Sequence, residues 1–507
     1  MVKETGNYPV NLQMNQLTAE QNKIVNCDLS PGETLKIVAF AGTGKTYTLI
    51  EYAKARPQMR FLYVAFNKSV QLEAAGKFPK NVVCRTSHAL AFRTHGHKHK
   101  SRIVPGFKAN TVMAALNLDK YEDARFTIDT LYNYLISADP KVSKWHIPYQ
   151  AATFYKQQKE TPPDFVRLAN KLGRLMCDGS DENIGMLHDG YLKLYQLSNP
   201  VLKYDCILLD EAQDINPVTS AFVLAQANNN GYRKPASIIL VGDSHQQIYS
   251  FRGARDTLKK IKTSKTMRLT QSFRFDNNIA RAANMVLRTF KNEENRIVGK
   301  PVERSAKPKW DLKRYTIIAR TNAGVFDQAV KRYKKNKIGF IGGIQGYRLN
   351  TIKDVYYLYR QQNRKIFDKY IKSFKTYSGL KSYAEYVEDV ELLSVCKLVE
   401  NYKFSIPGLV DMIKEKAVEI KDAEIILTTA HKSKGLEWDN VLLMDDFPKL
   451  IEDGELTDPG ELEPDEFNLI YVAMTRTIHR LRFQKGSSIP AFIKRIQANR
   501  QRNEKSG

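Results

Sequence analysis

The sequence predicts an α/β protein made of two parallel-sheet halves, each interrupted by a mainly helical insert. Three observations predict it. Short apolar runs alternate with amphipathic stretches over the first 90 residues, the rhythm of strands joined by helical crossovers. Strand-like runs return beyond residue 200 and again beyond residue 310, after stretches of helical character. The first run passes into the first helix through a glycine-rich loop, AFAGTGKT (39–46).

Each element follows in order. LKIVAF (35–40) reads as a buried strand and TYTLIEYAKA (46–55) as the helix after it. FLYVAF (61–66) and NKSVQLEAAGKF (67–78) repeat the pair. From 95 to 200 the chain is rich in Tyr, Lys and Leu at helical spacing, the first insert. DCILLDEAQD (205–214) and ASIILVGD (236–243) return to strands. RYTIIAR (314–320), EIILTTA (424–430) and NVLLMDD (440–446) supply the second sheet, with the second insert at 345–423. IEDGELTDPGELEPDE (451–466) carries eight acidic residues and no basic one, and reads as a solvated surface loop. The expected division is 1–94 with 201–277 for the first sheet domain and 95–200 for its insert. The second sheet domain is 278–344 with 424–507, and its insert is 345–423.

Composition excludes several classes. With 507 residues, 42% hydrophobic and 26% charged, the chain is neither disordered throughout nor a small disulfide scaffold. No apolar run approaches the roughly 20 residues of a spanning helix, and the first residues lack the apolar stretch of a secretory signal. The five cysteines (27, 84, 177, 206, 396) are scattered with no CxxC pattern, as in reduced thiols of a cytoplasmic or nuclear protein that is not secreted. The net charge is +25, which favours a polyanionic partner. Residues 301–337 hold 11 basic and 3 acidic residues, and 477–507 hold 8 and 1. HGHKHK (95–100) has no acidic or Cys neighbour and reads as a basic loop, not a metal site.

Chemistry concentrates at two places. In AFAGTGKT, Ala41, Gly42, Thr43 and Gly44 form a turn whose N–H groups, with the helix N-terminus behind them, suit phosphate. Lys45 reaches β/γ-phosphates and the Thr46 hydroxyl reaches Mg²⁺ in such a loop. The general pattern has Gly at the first position, where this chain has Ala39. DEAQD (210–214) ends an apolar run. There Asp210 suits the cation and Glu211 suits a general base that polarises water.

Together AxAGxGKT and DEAQD resemble superfamily 1A helicases, the UvrD/Rep/PcrA group, in which Ala at position 39 is usual. Further motifs follow in order over about 460 residues. LTAEQNKIV (17–25) resembles the Q motif, VAFNKSV (64–70) motif Ia and TSHALAF (86–92) motif Ib. VGDSHQQIYSFRGA (241–254) resembles motif III, LTQSFRF (269–275) motif IV, TTAHKSKGLEWD (428–439) motif V and NLIYVAMTRT (468–477) motif VI. HDGYLKLYQL (188–197) and TSHALAF are similar to the F-box DNA helicase branch, here expected without an F-box. The second insert, about 80 residues, is shorter than in UvrD relatives.

The resemblance implies two RecA-like motor domains and assigns roles. Gln21 would read the adenine edge and Phe273 would stack on the base where the group has Tyr. Glu437 would bond the sugar, and Arg274 and Arg476 would contact the γ-phosphate, guanidinium forks suiting phosphate oxygens. Gln246 would link the γ-phosphate to the nucleic-acid track. Along that track Tyr249 and Phe251 would stack on bases, followed by Arg252. Phe66, Asn67, Thr86, His88 and His431 would line it. The implied activity is an ATP-dependent 3′→5′ DNA helicase or translocase of repair, recombination or replication, with Mg²⁺ and ATP. Its partners would be single-stranded DNA and single/double-strand junctions; RNA stays open and no membrane partner is expected. Two other readings stay open. One is a translocase that strips proteins from single strands with little unwinding. The other is a nucleotide-switched binding module, against which an intact Glu211 argues.

Overall fold

The computed structural model describes residues 16–228, 234–248, 258, 261–301, 313–386 and 389–506. They fall into two compact units, one of Gln16–Phe40 and Gly44–Leu269, the other containing Ala41–Thr43 and Thr270–Gly507.

The first unit is built on six parallel strands. These are β1 (Thr34–Ala39), β2 (Phe61–Ala65), β3 (Val82–Thr86), β4 (Cys206–Leu209), β5 (Ser237–Gly242) and β6 (Lys265–Leu269), in the order β3-β2-β4-β5-β1-β6. Every residue of β2, β4 and β5 is buried. They are apolar runs without alternation because both sheet faces are covered. On one face Leu35, Ile37, Tyr63 and Leu208 pack with Ile24 of α1 (Ala19–Val25) and Leu49 of α2 (Lys45–Lys54). On the other, Leu62, Val64, Ile207 and Leu240 share one core with Phe126, Leu172 and Leu192 of the insert. The insert is thus fastened to the sheet by burial, at about 1.5–3 kcal/mol per large apolar side chain. Its helices are Ala109–Leu116, Tyr121–Ile136, Tyr149–Gln158, Phe165–Asp178 and His188–Leu197.

In this order the C-terminal ends of β4, β5 and β1 lie side by side, paired through Leu209↔Leu240 and Val38↔Gly242. The loop after β1 and the acidic residues after β4 and β5 leave the sheet at one edge, where α/β sheets hold ligands.

The second unit opens with β7 (Gln271–Asp276), paired with β8 (Val298–Lys300). Its main sheet has β9 (Tyr315–Ala319), β10 (Ile338–Phe340), β11 (Ala417–Val418), β12 (Ile425–Thr429), β13 (Trp438–Leu443) and β14 (Thr477–Phe483). They are parallel, in the order β11-β10-β12-β9-β13-β14. Ile317 and Leu427 of this sheet share a core with Ile352, Val355, Val399 and Ile413 of the second insert. These are the two RecA-like sheets expected from the sequence, each with a helical insert.

Three features differ from expectation. β7 packs on β14 and belongs to the second unit, so the contact boundary is Leu269/Thr270 and not 277. The acidic segment is not all loop. Ile451–Glu452 and Glu455–Leu456 form a hairpin across Asp453 and Gly454, both at positive φ, and a helix starts at Pro464. Such Asp-Gly pairs are what a two-residue hairpin turn requires. β3, β6, β7, β8, β10, β11 and β14 had no strand expectation. No helix among the described residues is long and apolar enough to cross a membrane.

Candidate active site

The phosphate loop owes its shape to glycine. Gly42 (φ 74°) and Gly44 (φ 73°) both occupy the left-handed region, where a side chain is strained. Gly44 is the N-cap of α2, supplies no capping side chain, and no acidic residue stands in the first turn. The first N–H groups and the positive end of the helix dipole therefore face the loop unsatisfied by the helix itself. Thr48 anchors the turn by donating to the Gly44 carbonyl (3.0 Å).

Around this loop the charges are already paired. Lys45 Nζ lies 3.1 Å from Glu211 Oε1. Burial acts to lower the Lys45 pKa, but Glu211, Asp243 and Asp210 outweigh it and hold the pKa above the ordinary lysine value. The Thr46 hydroxyl donates to Asp210 Oδ2 (2.8 Å), and the Tyr63 hydroxyl donates to the same oxygen (2.8 Å). The Glu211 N–H occupies Asp210 Oδ1 (2.9 Å). Burial, and then the neighbouring Glu211, push the Asp210 carboxyl above the usual carboxylate range. Thr46 and Asp210 offer hard oxygen donors side by side, the kind Mg²⁺ takes together with water and phosphate oxygens. These residues fit the cation.

Glu211 itself sits in the left-handed region (φ 49°), an uncommon and costly conformation for a residue with a side chain. Gln213, fully buried, donates to Glu211 Oε2 (2.5 Å) and accepts the Asp243 N–H (3.0 Å). Gln246 donates to Asp243 Oδ2 (2.6 Å). The acid after β4, the acid after β5 and Gln246 are therefore joined through one buried amide. A Cβ on Gly242 would stand 2.3 Å from Gln213 Oε1, so only glycine there admits that amide.

Gln21 is fully buried and takes part in a capping box with Thr18. Its Nε2 donates to Thr48 Oγ1 (3.3 Å), so both ends of its amide are engaged within the first unit. Of the expected track residues in this unit, Phe66 is 43% exposed just after β2. Asn67 caps the helix Lys68–Ala75 through Val70 N–H (2.9 Å), and Thr86 caps Ser87–Thr94 through Ala89 N–H (3.1 Å). His88 Nε2 is 3.2 Å from Asp189 Oδ1 in the insert. Tyr249, Phe251 and Arg252 lie outside the described residues.

In the second unit Arg274, Glu437 and Arg476 come together. Arg274 Nε is 2.6 Å from Glu437 Oε2, and its Nη1 donates to the Thr475 carbonyl (3.0 Å). Arg476 is 1% exposed and donates through Nε to the Val472 carbonyl (3.0 Å) and through Nη2 to Thr475 Oγ1 (3.3 Å). Phe273 is half-buried on β7, and His431 is half-buried in the short helix Ala430–Ser433.

Sequence reasoning passed over Tyr63, Gln213 and Asp243. Asp243 had the signal that found Asp210, an acid closing an apolar strand. Gln213 stood inside the quoted motif. Tyr63 was visible only as a hydroxyl in an otherwise apolar strand.

A glycine-turned loop ahead of Lys45-Thr46, with an acid pair at the end of a neighbouring buried strand, defines a P-loop protein on RecA-like sheets. The model of the UvrD/REP helicase N-terminal domain matches residues 118–266, and that of the UvrD-like helicase C-terminal domain matches residues 391–487. The chain belongs to the UvrD-like helicases. It is 37% identical over 496 residues to F-box DNA helicase 1 of Gallus gallus, covering 91% of this chain and 48% of that protein. It is 32% identical over 514 residues to F-box DNA helicase protein 1 of Schizosaccharomyces pombe, covering 92% and 57%. DNA helicase II of Escherichia coli matches at 25% identity over 294 residues, 51% of this chain and 39% of that protein. The chain spans about half the length of the first two of these relatives.

Proposed function

We propose that the chain is an ATP-dependent 3′→5′ DNA helicase or translocase moving on single-stranded DNA. The observation that carries the reading is the pairing at the sheet edge, Lys45 on Glu211 and Thr46 on Asp210. The names of its relatives supply DNA as the substrate, and the family resemblance supplies the polarity.

In this reading the phosphates rest on the N–H groups of the loop and the N-terminus of α2. Lys45 exchanges Glu211 for the β/γ-phosphates, a charge-assisted contact of equal sign logic. Glu211, freed from Lys45 and still held by Gln213, takes the proton of the water that attacks the γ-phosphorus as the bond to the ADP oxygen breaks. Thr46 and Asp210 would hold Mg²⁺, which when bound would neutralise phosphate charge. Arg274 and Arg476 add guanidinium charge, for which Arg274 must leave Glu437. Gln21 and Phe273 take the base, and Gln246 passes the state of the γ-phosphate toward the track of Phe66, Asn67, Thr86, His88, Tyr249, Phe251, Arg252 and His431. The two sheet domains are the motor halves and the two helical segments their inserts. A second insert of about 80 residues favours the alternative reading, a single-strand translocase that strips bound proteins with little unwinding.

The test is a Lys45→Ala chain assayed for nucleic-acid-stimulated ATP hydrolysis and for displacement on forks with 3′ or 5′ tails, in DNA and RNA. The expected result is loss of both activities, with wild type acting on 3′-tailed DNA. Persistence of both in the variant defeats the site; preference for 5′ tails defeats the polarity.

A further inference from the structure

Tyr63 is a tyrosine in a strand whose five residues are all buried, and it is itself 0% exposed. Its ring packs in the apolar core, 4.8 Å centroid to centroid from Phe78. A phenylalanine would do all of that, as Phe61 does two residues earlier on the same face. The hydroxyl is the difference, and it donates to Asp210 Oδ2 at 2.8 Å. Burying a phenol without a partner is costly, so the position is built around the carboxylate.

We propose that Tyr63 is a positioning residue for the metal–nucleotide complex, its hydroxyl holding the Asp210 carboxylate in the orientation that receives Mg²⁺. The inference rests on reading the loop as a nucleotide site. Thr46 has two duties there, toward the cation and toward Asp210. Tyr63 has one. A neutral donor suits that duty, because a lysine or arginine in its place would hold the carboxylate and repel the cation as well. Register explains its reach. Tyr63 pairs with Leu208, two residues before Asp210, so a six-membered ring with a terminal hydroxyl spans the step from β2 to the end of β4.

The experiment uses the full chain with Tyr63→Phe. Equilibrium binding of a fluorescent non-hydrolysed ATP analogue is measured in EDTA and across Mg²⁺ concentrations, beside ATPase kcat and KM and the thermal midpoint. The expected result is unchanged affinity in EDTA and about a fivefold to tenfold rise in the Mg²⁺ concentration that half-saturates binding, the scale of one typical net hydrogen bond. kcat falls at limiting Mg²⁺ and recovers at high Mg²⁺. In an Asp210→Asn chain, adding Tyr63→Phe produces no further change. An unaltered Mg²⁺ dependence, an equal loss in EDTA and Mg²⁺, or a further loss in the Asp210→Asn chain overturns the proposal. Lys45→Ala separates the two layers. If it binds the analogue like wild type, the nucleotide site is wrong. If it loses binding while Tyr63→Phe behaves like wild type, only the role of Tyr63 is wrong.

Discussion

Two largely buried lysines of the first unit show how company decides what burial does. Lys45 lies at the head of α2 among Glu211, Asp243 and Asp210, and its pKa stays above the ordinary value although burial opposes it. Lys193, on the helix His188–Leu197, is 1% exposed. It donates to two carbonyls, of Ser137 (2.9 Å) and Asp139 (2.5 Å), and lies 4.6 Å over the Tyr134 ring. Burial lowers its pKa to about 8, with Asp139 opposing. Dipoles and a ring face satisfy the donors of an ammonium without repaying its desolvation; carboxylates repay it. The first arrangement holds a cation beside acids, which phosphate would replace in the proposed function. The second fastens the end of the helix Tyr121–Ile136, where cations suit free carbonyls.

The sharpest way to break the comparison is to remove the acid partner of Lys45. Glu211→Gln keeps the shape and the contact with Gln213 but cannot take a proton. We expect kcat for ATP hydrolysis to fall about 10²–10⁴-fold, with the ATP analogue still bound. A variant that turns over at the wild-type rate removes Glu211 from the chemistry and leaves its ion pair with Lys45 a structural one, like the contacts of Lys193.

A milder break acts through Gly242. Gly242→Ala drives a methyl into Gln213 and shifts the amide that joins Glu211 to Asp243. The expected effect is a 10- to 100-fold loss in kcat, the scale of a misplacement near 1 Å, with KM for ATP nearly constant. An equal rise in KM would show that the glycine serves nucleotide binding instead.

The comparison also marks what the sequence makes legible. Lys45 announces itself because loop, lysine and hydroxyl are contiguous, and a strand followed by a helix N-terminus permits few other uses of AGTGKT. Lys193 sits in an ordinary amphipathic helix, and its acceptors are 54 and 56 residues away. Nothing local marks it as buried. The strands divide in the same way. β2, β4 and β5 are central and covered on both faces, so they read as unbroken apolar runs. β6 (KTMRL) and β14 (TIHRLRF) end their sheets, and an edge strand carries charge on its open face. Charged residues interrupt both, so neither reads as an unbroken apolar run. The acid pair Asp210–Glu211 was legible for the same reason as Lys45; Tyr63 and Gln213 were not, because their roles depend on which strands lie side by side.

Lys193 gives the smallest effect and the one with a definite sign in pH. Its folded pKa of about 8 lies below the unfolded value near 10.4. Between them the unfolded chain binds more protons, so stability rises with pH across that window and is flat below it. Lys193→Met removes the titration. The melting temperature of wild type relative to the variant should therefore climb from pH 8 to 10, by no more than a few kcal/mol in stability at about 1.4 kcal/mol per pH unit. ATP hydrolysis by the variant at neutral pH should match wild type, since Lys193 donates to carbonyls within the insert. A difference that stays level across the window would mean that Asp139 and the carbonyls do repay the buried charge, and that the two lysines differ in position alone.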